Sequence, residues 1–182
     1  VGHSTGGGEA FRYAAQYGKD RVAKVVLISA ITPYMIADEN NPNGVPMSVF
    51  DDIRYNTRHN RAQFYQDLTI PFFGYNREGV EIKKSIQDNW WRQGMMGGIK
   101  AQYDCIEVFS ETDFTEDLKS VTIPVLVLHG DDDQIVPYET TAVKAAELLQ
   151  NGKLIIYPGF SHGMPTTEAE TINRDILEFI NS

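Results

Sequence analysis

Ser4 stands between glycines in Gly2-His3-Ser4-Thr5-Gly6, with Gly7, Gly8 and Glu9 after it. A serine hydroxyl is a weak nucleophile at neutral pH. It needs a neighbouring base, and the base needs a group that orients it. The G-x-S-x-G spacing fits a strand that turns sharply into a helix. Glycines on either side remove the Cβ clashes of such a turn, and the hydroxyl is lifted clear of the sheet. The same turn sets the backbone N–H of Thr5 at a helix start, where the helix dipole helps it stabilise an oxyanion. A purely structural glycine turn, or a phosphate-binding loop, has a similar composition. The partners therefore decide.

The best base is His162, on the loop "GFSHGMP". His3 sits inside the turn itself. His129 ends an apolar run, where a structural role is expected, and His59 falls in a polar helical stretch. The orienting carboxylate is expected on the loop "HGDDDQIVP", where Asp131, Asp132 and Asp133 all qualify and spacing does not choose among them. Adjacent aspartates do not match the alternating ligands of a calcium loop, and no metal ligand is assigned. Serine, aspartate and histidine then follow one another in that chain order.

These loops need strands to carry them. "EAFRYAAQYG" reads as a helix stopped at Gly18, and "VAKVVLISA" as a strand buried on both faces. Residues 34–113 lack a strand pattern. "ADENNPNGVP" is a loop, and "MSVFDDIRYNTRHNRAQFYQDL" has apolar residues at helical spacing. A second helical region follows, broken near Gly97-Gly98. The strand signal returns in "VTIPVLVLHG". A helix over "TTAVKAAELLQNG" capped by Gly152, a strand over "KLIIYPG" and a helix over "TTEAETINRDILEFINS" come next. In that last helix Ile172, Ile176, Leu177 and Ile180 are expected on one face. Such alternation gives a parallel sheet flanked by helices, with sites at the carboxyl ends of strands.

The 182 residues suffice for one domain with a core. No stretch has the apolar length needed to cross a bilayer, so no membrane partner is expected. A net charge of −9 disfavours nucleic acid. The single cysteine, Cys105, excludes an intrachain disulfide and a cysteine-built metal cage, and fits a reducing, cytoplasmic compartment. Assembly into a homo-oligomer is left open.

"GHSTGGGE", "FSETDFTEDL", "HGDDDQIVP" and "SHG", in this order, resemble the α/β-hydrolase fold. More narrowly they are similar to the cofactor-free haloperoxidase (perhydrolase) and aryl esterase family. "RVAKVVLISA", "GVPMSVFDDIR", "RAQFYQDL", "PFFG" and "WWRQGMM" extend the likeness over essentially the whole chain. The resemblance implies Ser4 as nucleophile, His162 as base and Asp133 as its partner, with no cofactor. It implies a partial hydrolase core over residues 1–33 and 114–182 and a helical cap over 34–113. Trp90, Trp91, Met95, Met96 and the phenylalanines near Phe72 are candidates to line an acyl or aryl pocket, with plain cap core as the alternative.

That family's chain carries strands, a helix and a second oxyanion-hole loop ahead of the Ser4 turn. Val1 is not a methionine, and the strand into Ser4 is reduced to Val1-Gly2. The sequence is therefore expected to be the C-terminal two-thirds of a longer enzyme, and to be nearly inactive alone. The expected substrate is a small-molecule ester or carboxylic acid. With water as acceptor the reaction is ester hydrolysis; with hydrogen peroxide it is peracid formation. A non-catalytic ligand-binding module on the same fold is the rival from another class. A dehalogenase is disfavoured because it needs a carboxylate where Ser4 stands, whereas carbon–carbon bond hydrolysis uses the same three residues.

Overall fold

The computed structural model describes residues 1–182. β1 (Gly2–His3) leads into α1 (Thr5–Tyr17), and β2 (Val25–Ile28) follows. Three helices come next: α2 (Met47–Phe72), α3 (Lys84–Met96) and α4 (Ile99–Glu111). A short α5 (Thr115–Ser120) precedes β3 (Val125–Gly130). A π-helical turn at Glu139–Val143 runs into α6 (Lys144–Leu148), then β4 (Gly152–Tyr157), α7 (Met164–Thr167) and α8 (Ala169–Asn181).

The strands form one parallel sheet in the order β1-β2-β3-β4. Alternation along each strand sorts its side chains between two layers. Val25, Leu27, Val125 and Val127 pack with Phe11, Ala14, Leu118 and Ala145 on the α1, α5 and α6 side. Val26, Ile28, Leu126 and Leu128 pack with Met164 and Ile172 on the α7 and α8 side. Burial on both faces is why β2 and β3 read as unbroken apolar runs. Leu126 and Leu128 are fully buried, and each contributes roughly 2–3 kcal/mol by leaving water.

A third cluster lies beyond the strand ends. Ile31 and Met35, after β2, and Val136, after β3, pack against Phe50 of α2 and Ile106 of α4. The helical segment thus rests on the loops at the carboxyl end of the sheet. The break expected at Gly97-Gly98 separates α3 from α4.

Some expected boundaries move. Gly152 does not cap a helix; it opens β4, and α6 ends one turn earlier with Leu149 at its C-cap. α2 continues through non-helical backbone at Asn60 and on to Phe72. On α8, Leu177 and Ile180 are exposed. Phe179 joins Ile172 and Ile176 on the packed face instead, the i, i+4, i+7 row. No helix is long and apolar enough to cross a membrane.

Candidate active site

Ser4 sits between the end of β1 and the start of α1 with φ 56° and ψ −125°, a left-handed conformation that a residue with a Cβ seldom adopts. Such a residue costs of order 1–3 kcal/mol and persists only where its surroundings over-determine it. Here they do. The Ser4 N–H donates to the Ile28 carbonyl (2.9 Å), and the Ser4 carbonyl accepts from the Gly7 N–H (3.0 Å).

The glycines divide their work unevenly. A Cβ on Gly2 would lie 2.2 Å from the Gly6 carbonyl oxygen, and one on Gly7 would lie 2.5 Å from the Ala30 Cβ. One on Gly6 would meet nothing within 4 Å. The turn is close-packed at Gly2 and Gly7, so the second motif glycine is not the one relieving a clash. The Ser4 side chain makes no capping hydrogen bond and lines the main cavity together with Thr5. The Thr5 N–H belongs to the first turn of α1, whose donors have no intrahelical acceptor.

His162 lies in the loop after β4 and is fully buried. Its Nδ1 donates to Asp133 Oδ2 at 2.7 Å. Its Nε2 has no hydrogen-bond partner in the chain, and the ring lines the same cavity as Ser4. A proton on Nδ1 leaves the Nε2 lone pair free to accept one, as a base must. Neighbours fix the ring. Phe72 meets it edge-on at 4.8 Å, and His3 packs against it at 4.8 Å. The His3 Nε2–H donates to the His162 carbonyl at 2.9 Å, and the Gly163 N–H donates to the Phe72 carbonyl at 2.7 Å.

The three aspartates part company. Asp131 accepts from the Gly159 N–H, and Asp132 pairs with Arg77. Asp133 turns inward with its side chain fully buried. Its Oδ1 accepts from the N–H groups of Ile135 (2.9 Å) and Val136 (2.8 Å). Burial alone would raise its pKa. The hydrogen bonds from His129 and His162 outweigh it and hold the carboxyl well below the usual carboxylate range.

The cavity above these groups has a volume of about 520 Å³ and mainly apolar walls, among them Ile31, Phe50, Phe64, Leu68 and Phe109. Phe72 and Trp90 lie on its wall; Trp91 and Met95 do not. Successive helical residues are rotated by about 100°. Hence Gly94, one turn beyond Trp90, faces the cavity, while Trp91 turns aside and donates its Nε1–H to the Ala62 carbonyl. Met96 is exposed at the end of α3. Cys105 and Gln102 of α4 also reach the cavity, and no sequence signal singled them out.

His3 carries a consequence for pH. Burial, and then the nearby His162, lower its pKa from 6.5 to about 4. The unfolded chain therefore takes up a proton at His3 between about pH 6.5 and 4, and the folded chain does not. Stability must fall as pH drops through that window and level off below it. His3→Gln keeps a donor for the His162 carbonyl and removes the titration. Urea midpoints measured from pH 7 to 4 are expected to fall more steeply for the parent than for this variant. Equal slopes would refute the assignment.

The family model described as alpha/beta hydrolase fold matches residues 1–168. The chain is 60% identical over 183 residues to the bifunctional esterase/perhydrolase DCH of Acinetobacter calcoaceticus, covering 100% of this chain and 66% of that protein. It is 54% identical over 183 residues to a non-heme haloperoxidase of Rhodococcus erythropolis, covering 100% of this chain and 67% of that one. Among solved structures, the bromoperoxidase from Bacillus anthracis superposes with a TM-score of 0.95 at 33% identity, again over 100% of this chain and 66% of that chain. The chain thus spans about two thirds of the length of these relatives.

Proposed function

The chain belongs to the alpha/beta hydrolase fold family, and from that premise we propose that it carries the reactive centre of a serine hydrolase acting on carboxylic esters. Ser4 Oγ attacks the ester carbonyl, and His162 Nε2 takes its proton. The Thr5 N–H receives the developing oxyanion, and the alkoxide or phenoxide leaves with the proton from His162. Water, activated by the same imidazole, then releases the acid and restores Ser4. Asp133 keeps the Nδ1–H tautomer of His162 and stabilises the imidazolium formed in both steps. The helices α2 to α4 act as a cap whose apolar wall receives an aryl or short acyl group. The observation that carries this reading is the arrangement of His162: one nitrogen bonded to a buried carboxylate, the other free, on the cavity that Ser4 also lines.

Hydrogen peroxide in place of water gives a second outcome from the same acyl-enzyme. The acyl group passes to peroxide, forming a peracid and freeing Ser4. The peracid then oxidises halide to hypohalous acid and returns the carboxylate. The names of the two relatives above favour this outcome alongside ester hydrolysis.

The test is turnover of p-nitrophenyl acetate by the intact protein, with and without peroxide, halide and a carboxylic acid, before and after treatment with a fluorophosphonate. Hydrolysis, and halogenation that requires the carboxylic acid, are both expected to vanish as the reagent modifies Ser4. Absence of both activities together with an unmodified Ser4 would favour a ligand-binding module instead.

A further inference from the structure

We propose that His129 is a positioning residue that holds Asp133 in place beneath His162; the inference rests on the triad reading above. His129 is the penultimate residue of β3, which is paired on both sides by β2 and β4, and it is fully buried. Its Nε2 lies 3.0 Å from the Val136 carbonyl oxygen and 3.1 Å from Asp133 Oδ2. A carbonyl oxygen can only accept, so Nε2 carries the proton and points it at Val136, with Asp133 Oδ2 in close polar contact beside it.

Oδ2 of Asp133 is therefore approached by two imidazoles at once, by His162 through a hydrogen bond at 2.7 Å and by His129 of β3 at 3.1 Å. Oδ1 is taken by the Ile135 and Val136 N–H groups. Val136 is thus tied twice, its N–H to the carboxylate and its carbonyl to His129. The carboxylate sits on a loop whose main chain is bonded to the ends of β3 and β4 through Gly130 and Tyr157, and His129 adds a side-chain tether from that loop to the sheet.

A packing role alone does not account for an imidazole here. Its Nδ1 is buried with no hydrogen-bond partner in the chain, as is the hydroxyl of Ser29, the residue just after β2, one step past the Ile28 and Leu128 pair. An apolar side chain of similar size would fill the space without leaving a polar atom unsatisfied. What only the polar ring supplies is the Nε2–H beside Oδ2. That donor fixes the direction in which Oδ2 faces His162 and draws off part of its negative charge. His162 is thereby aimed by a carboxylate that cannot swing.

The experiment compares His129→Gln with His129→Asn in the intact enzyme, using p-nitrophenyl acetate and circular dichroism as a check on folding. The glutamine amide reaches the position of Nε2; the asparagine amide reaches only that of Nδ1. The asparagine variant is expected to lose about 10- to 100-fold in kcat, the scale of a reacting group displaced by about an ångström, with KM little changed. The glutamine variant is expected to recover most of that loss. Equal kcat in the two folded variants, or a loss confined to KM, overturns the proposal. Ser4→Ala run alongside separates the two failures: a surviving Ser4→Ala activity would overturn the triad reading itself, whereas a dead Ser4→Ala beside a fully active His129→Asn would overturn only the role of His129.

Discussion

Ser4→Ala in the intact enzyme is expected to lower kcat for p-nitrophenyl acetate by about 10⁵- to 10⁶-fold, while the protein folds as before. The size follows from the chemistry. Removing the nucleophile of a serine triad removes nearly everything the triad does, because its members act as a unit and what remains comes from the oxyanion donors and binding. That folding is spared follows from the geometry. The left-handed backbone of Ser4 is held by main-chain bonds to Ile28 and Gly7, and the side chain contributes no capping bond. Alanine keeps the same Cβ in the same turn. Urea midpoints should therefore match the parent, and fluorophosphonate labelling should disappear. A variant that still hydrolyses the ester within about tenfold of the parent would remove Ser4 from the mechanism.

What the sequence disclosed about this site divides along a physical line. Contacts close in the chain, or imposed by the sheet, were legible. The turn around Ser4 follows from the local run of glycines, of which Gly2 and Gly7 are the close-packed ones. The loops carrying Asp133 and His162 follow from two apolar runs whose ends must lie at the same edge of a parallel sheet. Spacing does not choose among Asp131, Asp132 and Asp133; only the resemblance to a known family points to Asp133. The structure shows why spacing could not do it. The Asp132 partner, Arg77, and the Asp131 partner, the Gly159 N–H, are both distant in the chain. Only their three-dimensional positions leave Asp133 facing inward.

The same line separates Trp90 from Trp91. Composition marks both as pocket candidates, and the phase of α3 against the sheet decides which faces the cavity. On α8 the packed row is narrower than the apolar pattern: Ile172 and Ile176 lie on it, and Phe179, rather than Leu177 or Ile180, completes it. The second role of a buried histidine was the least visible feature. His129 reads from the sequence as the end of a core strand, which it is. That its ring also reaches the carboxylate four residues on depends on how the loop folds back over the strand end.

The Asp133→Asn variant tests that folded-back loop and the base together. The aspartate has four donors around it and no acceptor: the N–H groups of Ile135 and Val136 on Oδ1, and His162 and His129 on Oδ2. An asparagine must place one NH₂ group among them. If its oxygen stays with Ile135 and Val136, the NH₂ faces both imidazoles. His162 can then only accept at Nδ1, so its proton moves to Nε2, and the nitrogen on the Ser4 side loses its lone pair. Flipping the amide restores the Nδ1–H tautomer but sets the NH₂ against two backbone N–H groups. Either arrangement leaves buried donors unsatisfied, which costs roughly 1–3 kcal/mol in stability. The wrong tautomer lowers kcat by about 10⁴-fold. Unlike Ser4→Ala, this variant is thus expected to lose activity and urea resistance together. A folded Asp133→Asn enzyme within about tenfold of the parent rate would show that the carboxylate does not set the His162 tautomer, and the acid–base role would have to be assigned elsewhere.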